Sequence, residues 1–162
     1  MAQAEIFKQL KADHDQHRDL LDQIDQTKGD SPERAELFEK FRVEVTAHAA
    51  SEEMSLYATM LSKPDLRDEA QHSVAEHKEI EDFLTELYEM DFGSTGWLTR
   101  FRTMKDRYLH HIEEEEEEMF PVADEELTAA TKKEIAATYK SEKPKEEAKA
   151  AEETPSSEGE RE

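Results

Sequence analysis

Apolar residues and histidines together recur at steps of three or four along four long stretches of the chain, and this restricts the fold more than any other feature. Ile6, Leu10, Leu21 and Ile24 mark the first stretch, and Phe41 and Val45 the second. Ala70, Val74, Ile80 and Leu84 mark the third, and Phe101, Met104 and Tyr108 the fourth. That period puts each set on one face of an α-helix. The 4 glycines and 5 prolines fall mostly between or beyond these stretches. Lys28-Gly29-Asp30 closes a first helix over about 2–27, and Ser31-Pro32 caps and opens a second that ends at Ser62-Lys63-Pro64. A third helix spans about 65–90. Gly93-Ser94-Thr95-Gly96 precedes a fourth, over about 95–119, which Pro121 is expected to stop. A shorter fifth, over about 124–140, follows an Asp124 cap. Long helices joined by few residues favour antiparallel neighbours, and no strand-like alternation is present. The expected fold is all-α, an up-down-up-down four-helix bundle with a short fifth helix.

From Ser141 onward there is no aromatic residue and no aliphatic residue larger than Ala. Such a segment is expected to bury too little surface to offset its ordering entropy. The chain therefore divides into a helical bundle over 1–140 and a disordered acidic tail over 141–162. A net charge of −21 argues against nucleic-acid partners, which require clustered Lys and Arg, and against anionic membranes. The lack of cysteine excludes disulfides, thiolate catalysis and cysteine-ligated iron–sulfur clusters. With no leader and no bilayer-length apolar run, the expected location is cytoplasmic.

All 7 histidines lie between positions 14 and 111, and every long helix interrupts its own apolar stripe with one: His14 (with His17), His48, His77 and His111. Several imidazoles meeting in one interior would repel if protonated and stay half-satisfied if neutral. A metal ion resolves both problems. His48 and Glu52 are one helical turn apart, as are His111 and Glu115. A glutamate one turn from a histidine ligand can bridge two ions, and two such helices give two bridges. Mixed nitrogen and carboxylate donors suit iron better than copper(I). The two segments also share their spacing: His48 through Tyr57 matches His111 through Phe120, each ending in an aromatic nine residues after the histidine.

These motifs together resemble the hemerythrin-like family, also called the HHE cation-binding domain. Carrying the resemblance are Lys11-Ala12-Asp13-His14, His48-x-x-x-Glu52-Glu53 with Tyr57, Ala75-Glu76-His77, and His110-His111-x-x-x-Glu115-Glu116 running to Met119-Phe120-Pro121. The match covers about residues 3–122. The resemblance implies a bundle holding two iron ions, oxo- or hydroxo-bridged, with His14, His48, His77 and His111 as nitrogen ligands and Glu52 and Glu115 as bridges. One departure stands out. Hemerythrins that carry oxygen have a further histidine four residues before the position of His77, and here that residue is Ser73. Candidates for a fifth nitrogen are His17, His110 and His72, the last turned about 140° from His77 on a helix and so expected at the surface. Glu81 is a candidate oxygen substitute. The shortfall counts against reversible oxygen carriage.

The expected function is that of a non-haem di-iron protein that binds or reacts with a small diatomic or peroxide ligand (dioxygen, nitric oxide or peroxide) in a stress response. An iron- or oxygen-sensing module without turnover is the alternative, and a metal-free acidic bundle opposes both.

Overall fold

The computed structural model describes residues 3–155. Among the described residues all regular structure is helical. Helix α1 is Glu5–Asp25. Helix α2 is Pro32–Glu52 and runs on through a π-helical turn, Glu53–Tyr57, into Ala58–Leu61. Helix α3 is Arg67–Glu89. Helix α4 is Thr95–Glu114, continued by a second π-helical turn, Glu115–Met119, and by Phe120–Glu126. Helix α5 is Ala129–Glu152. No helix among the described residues is long and apolar enough to cross a membrane.

The punctuation between helices follows from local chemistry. Gly29 adopts a φ of 58°, which a side chain would disfavour, and so turns the chain out of α1. The Ser31 hydroxyl then accepts from the Arg34 backbone N–H, with Pro32 in the first turn of α2. Arg34 ties two loops together: its guanidinium donates to Thr27 Oγ1 and Thr27 O, both at 2.8 Å, and to Phe92 O at 2.6 Å. It also lies 4.9 Å over the Trp97 ring. Trp97 is fully buried, donates its indole N–H to Leu87 O at 3.0 Å and stacks on Phe101.

Two expectations need correction. Pro121 does not stop α4. The widened π turn directly upstream makes room for its ring, and Pro121 sits in the first turn of the segment after it, where a missing N–H costs least. The fifth helix is also neither short nor capped by Asp124. Thr128 caps it by accepting from the Thr131 N–H, and it runs 24 residues to Glu152, through most of the segment expected to be disordered. Its Ala, Lys and Glu are strong helix formers. Contacts outside the segment hold it: Ile135, Tyr139 and Ala150 are buried, Arg42 donates to Ala150 O at 3.0 Å, and Lys143 pairs with Asp13 at 2.8 Å. Residues 156–162 of the expected tail lie outside the described residues.

The interior is layered. One apolar cluster contains Leu21, Ile24, Phe41, Leu84, Trp97 and Phe101, and another contains Phe7, Leu10, Tyr57, Met60, Phe120 and Tyr139. Between them along α1 to α4 lie the buried polar side chains: His14 and His17, then Ser51 and Glu52 with His48, then Ser73 and His77, then His111 and Glu115. Helices α1 and α3 meet the layers in one order, α2 and α4 in the reverse. Helix α1 packs on α2 and α4, α3 on α4, and α5 along α2. Trp97→Ala should cost about 3–5 kcal/mol, as expected for truncating a fully buried aromatic. Urea unfolding measures this, and a loss near zero would show that the Trp97 layer is not packed as described.

Candidate metal centre

The two π turns explain how the polar layer and the apolar layer beneath it can share a helix face. On a regular α-helix, residues five apart stand about 140° from each other. Glu52 and Tyr57 are five apart, as are Glu115 and Phe120, yet all four are buried. The extra residue in each widened turn brings Tyr57 and Phe120 back to the interior below the glutamates.

The layer converges in two groups. Glu52, His77, His111 and Glu115 offer ligand atoms that all lie within 4.8 Å of one another, and so do His14, His48 and Glu52. Each carboxylate stands between imidazoles from different helices. Glu52 Oε1 is 3.6 Å from His48 Nε2 and 3.3 Å from His77 Nε2. Glu115 Oε1 is 2.8 Å from His111 Nε2 and 3.8 Å from His14 Nε2. The shortest of these contacts, between His111 and Glu115, is at ion-pair distance, and none of the four is made as a hydrogen bond. Nε2 of His14, His48 and His111, both Glu52 oxygens and Glu115 Oε1 are therefore buried with no hydrogen-bond partner. A buried polar atom left unpaired costs about 1–3 kcal/mol, and here six converge. Imidazole nitrogens and carboxylate oxygens pointing at a common space form a donor set that a cation satisfies.

The opposite ring nitrogens are all occupied. Nδ1 of His14 meets Glu116 at 2.7 Å, that of His77 meets Glu53 at 3.0 Å, and that of His111 meets Glu76 at 2.8 Å. His48 Nδ1 lies 3.1 Å from Asp13 and 2.7 Å from the Tyr139 hydroxyl, which itself donates to Asp13. A carboxylate on Nδ1 fixes the ring and leaves Nε2 as the free donor, the usual support for a histidine ligand. Arg18 holds Glu116 from behind at 2.9 Å. Asp13, Glu53, Glu76, Glu116 and Tyr139 were given no role by sequence reasoning. For four of them a signal existed. His14, His48 and Glu52 lie 63 positions before His77, His111 and Glu115, and so do Asp13 and Glu53 before Glu76 and Glu116. Tyr139 has no counterpart and comes from the segment read as a minor helix.

All six expected ligands reach the layer. Of the fifth-nitrogen candidates, His17 is fully buried, with its ring 5.1 Å from that of His48, its Nδ1 2.8 Å from the Tyr108 hydroxyl and its Nε2 unpartnered. His72 and His110 are 63% and 67% exposed and face Glu114, which takes them out of the layer. Glu81 is exposed.

The charges are unevenly shared. Burial pushes Glu52 well above the usual carboxylate range, and neighbouring Glu115 adds to the effect. Burial would also raise Glu115, but the adjacent His111 holds it well below that range. Burial would lower His111, yet Glu115 and Glu76 raise it to about 9. Burial takes His48 down to about 4 despite its bond to Asp13, and it also lowers His77.

A buried layer of imidazoles and carboxylates, supported from behind and lacking internal partners, defines an all-helical protein able to hold metal cations. Residues 5–123 match the hemerythrin HHE cation binding domain, and the chain belongs to that family. Its fold is shared by a hemerythrin HHE cation binding domain-containing protein from Mycobacterium kansasii, with a TM-score of 0.77 at 22% identity over 92% of this chain and 90% of that one. Among curated proteins no sequence relative matches.

Two outcomes follow. In the metal-free chain His111, raised to about 9, contributes stability that is complete below its unfolded value of 6.5 and lost as pH rises through 9. His48, depressed to about 4, contributes stability present above 6.5 and lost as pH falls through 4. At pH 7 metal uptake must then displace at least the His111 proton. Calorimetry in buffers of different ionisation enthalpy should register its release, and uptake without proton release would contradict this charge assignment. Tyr139→Phe should weaken metal affinity about 10–100-fold with the helical circular dichroism unchanged. Unaltered affinity would remove Tyr139 from the site.

Proposed function

We propose that the chain is a non-haem di-iron protein that binds or reacts with a small oxidant (dioxygen, peroxide or nitric oxide), acting in the cytoplasm in a stress response. In this reading α1 to α4 form an up-down-up-down four-helix bundle. His14 and His48 would hold one iron and His77 and His111 the other, with Glu52 and Glu115 supplying carboxylate oxygens. The observation that carries the reading is the convergence of six unpartnered donor atoms, with every ring fixed from behind. Iron bound there supplies a position for the oxidant and the electrons to react with it.

The chain's own residues set the conditions. Asp13, Glu53, Glu76 and Glu116 hold the imidazoles in the tautomer that exposes Nε2. Tyr57 donates to Glu115 Oε2 at 2.9 Å and lies 3.4 Å from His77 Nε2, so it orients one carboxylate and reaches the adjacent imidazole. The apolar clusters close the layer above and below. Tyr108, with its hydroxyl on His17, is a hydrogen-bonding group at the edge of the site.

One observation favours a sensing role instead: α5 touches the site through Tyr139, so metal occupancy and docking of this helix share a hydrogen bond to His48. Proteolysis with and without iron separates the readings, because a sensor should release α5 when iron is removed.

The decisive test is elemental analysis with an optical spectrum of aerobically purified protein. About two irons per chain with bridged-ferric bands are expected, and replacing His48 and His111 together with Leu should abolish iron uptake. Full stability without iron, or a leucine variant that still loads two irons, would sink the assignment.

A further inference from the structure

We propose that the site's accessible side takes an organic hydroperoxide, a neutral molecule with an apolar body, in a preformed cavity, an inference that rests on the di-iron reading above. The cavity has a volume of about 600 Å³ and lies between α2, α3 and the last turns of α5. Its lining includes His48, His77 and Tyr108 from the buried layer. Val45, Ala49, Ala50, Val74, Ile80 and Leu84 make its walls. Dioxygen or hydrogen peroxide needs the space of one or two waters, each about 30 Å³. A cavity this large falls within the range that holds organic ligands.

The internal repeat shows how the space is made. Ala49 and Ala50 follow His48, whereas the equivalent residues after His111 are Ile112 and Glu113, and Ile112 is fully buried. Ala49 beside one proposed ligand thus leaves open a volume that Ile112 fills in the other half of the repeat, while Glu113, the counterpart of Ala50, is exposed.

The rim selects the head group. Glu53, Glu81, Glu146 and Glu153 line the opening against Lys78 and Lys149, and the whole chain carries −21. This excess of carboxylates repels fatty acids and other anions. A hydroperoxide is uncharged at neutral pH. Its alkyl or aryl body suits the aliphatic walls, and its O–O–H end meets the polar part of the lining, His48, His77 and Tyr108, whose hydroxyl is held by His17 Nδ1 at 2.8 Å.

The test has two arms. In the first, the full metal-free chain is titrated calorimetrically with 2-phenyl-2-propanol, an unreactive stand-in for cumene hydroperoxide, and with phenylacetate, an anion of similar size. The alcohol should bind about tenfold or more tightly than the anion, and Ala50→Leu should remove that binding, since a few methylenes in a pocket are worth about 10–200-fold. Val74→Trp, on the facing helix, should do the same and guards against a folding defect in the first variant. In the second arm, iron-loaded protein is mixed with cumene hydroperoxide or hydrogen peroxide and the change in its optical spectrum is timed. Ala50→Leu should slow the first reaction at least tenfold and leave the second unchanged. Equal binding of alcohol and anion, or an equal effect of Ala50→Leu on both peroxides, would overturn the proposal. Failure to load iron would sink the di-iron reading alone, because the alcohol titration still decides whether the cavity takes such a ligand.

Discussion

The structure is organised around a group of buried donor atoms that the polypeptide does not satisfy by itself. Nε2 of three histidines and three carboxylate oxygens face one another in a layer closed above and below by apolar side chains. Left alone, such a layer would be among the costliest features of a small domain. The surroundings make sense as devices that hold these atoms in place. Carboxylates fix the rings, π turns let a glutamate and an aromatic five residues later face inward together, and α5 adds the Tyr139 hydroxyl to the support of His48. The arrangement gives up stability without metal in exchange for a donor set already in position when metal arrives.

The layer and its helices were legible because both follow from periodicity. A histidine inside an apolar stripe must face the same way as the stripe, so His14, His48, His77 and His111 could be placed inside before any coordinates existed. Glu52 and Glu115 followed from lying one turn further on. Pro121 misled because a proline ends a regular α-helix, while the π turn that accommodates it has no equally plain mark in the sequence. The segment from Ser141 misled for a different reason. Judged alone it lacks the apolar residues to fold. Its order comes from Arg42, Asp13 and Glu44, partners more than ninety positions away, and no local window contains them. Tyr139 was missed for the same reason.

The supporting carboxylates follow the internal repeat, and their connections cross it. Asp13 supports His48 and Glu76 supports His111, each within its own half. Glu53 supports His77 and Glu116 supports His14, each reaching into the other half. The aromatic contacts cross in the same way: Tyr57 stacks on His77 and Phe120 on His14. Each half fixes one of its two site histidines itself and depends on the other half for the second. Docking of the two helix pairs and assembly of the site are therefore one event, and a variant that loosens the docking should also loosen the donor set.

Where the repeat is broken, the two sides of the site acquire different chemistry. Tyr57 brings a hydroxyl to the His77 side, while its counterpart Phe120 brings none to His14. His17 adds an imidazole near His14 and His48, while its counterpart on the His77–His111 side is the aliphatic Ile80. Tyr139 bonds to His48 and Asp13, on the His14–His48 side. A pair of ions held here would sit in unlike surroundings, one richer in nitrogen and the other within reach of a phenol. Unlike surroundings separate the affinities and potentials of two otherwise equivalent positions. The cavity, bordered by His48 from one group and His77 from the other, opens where the two surroundings meet.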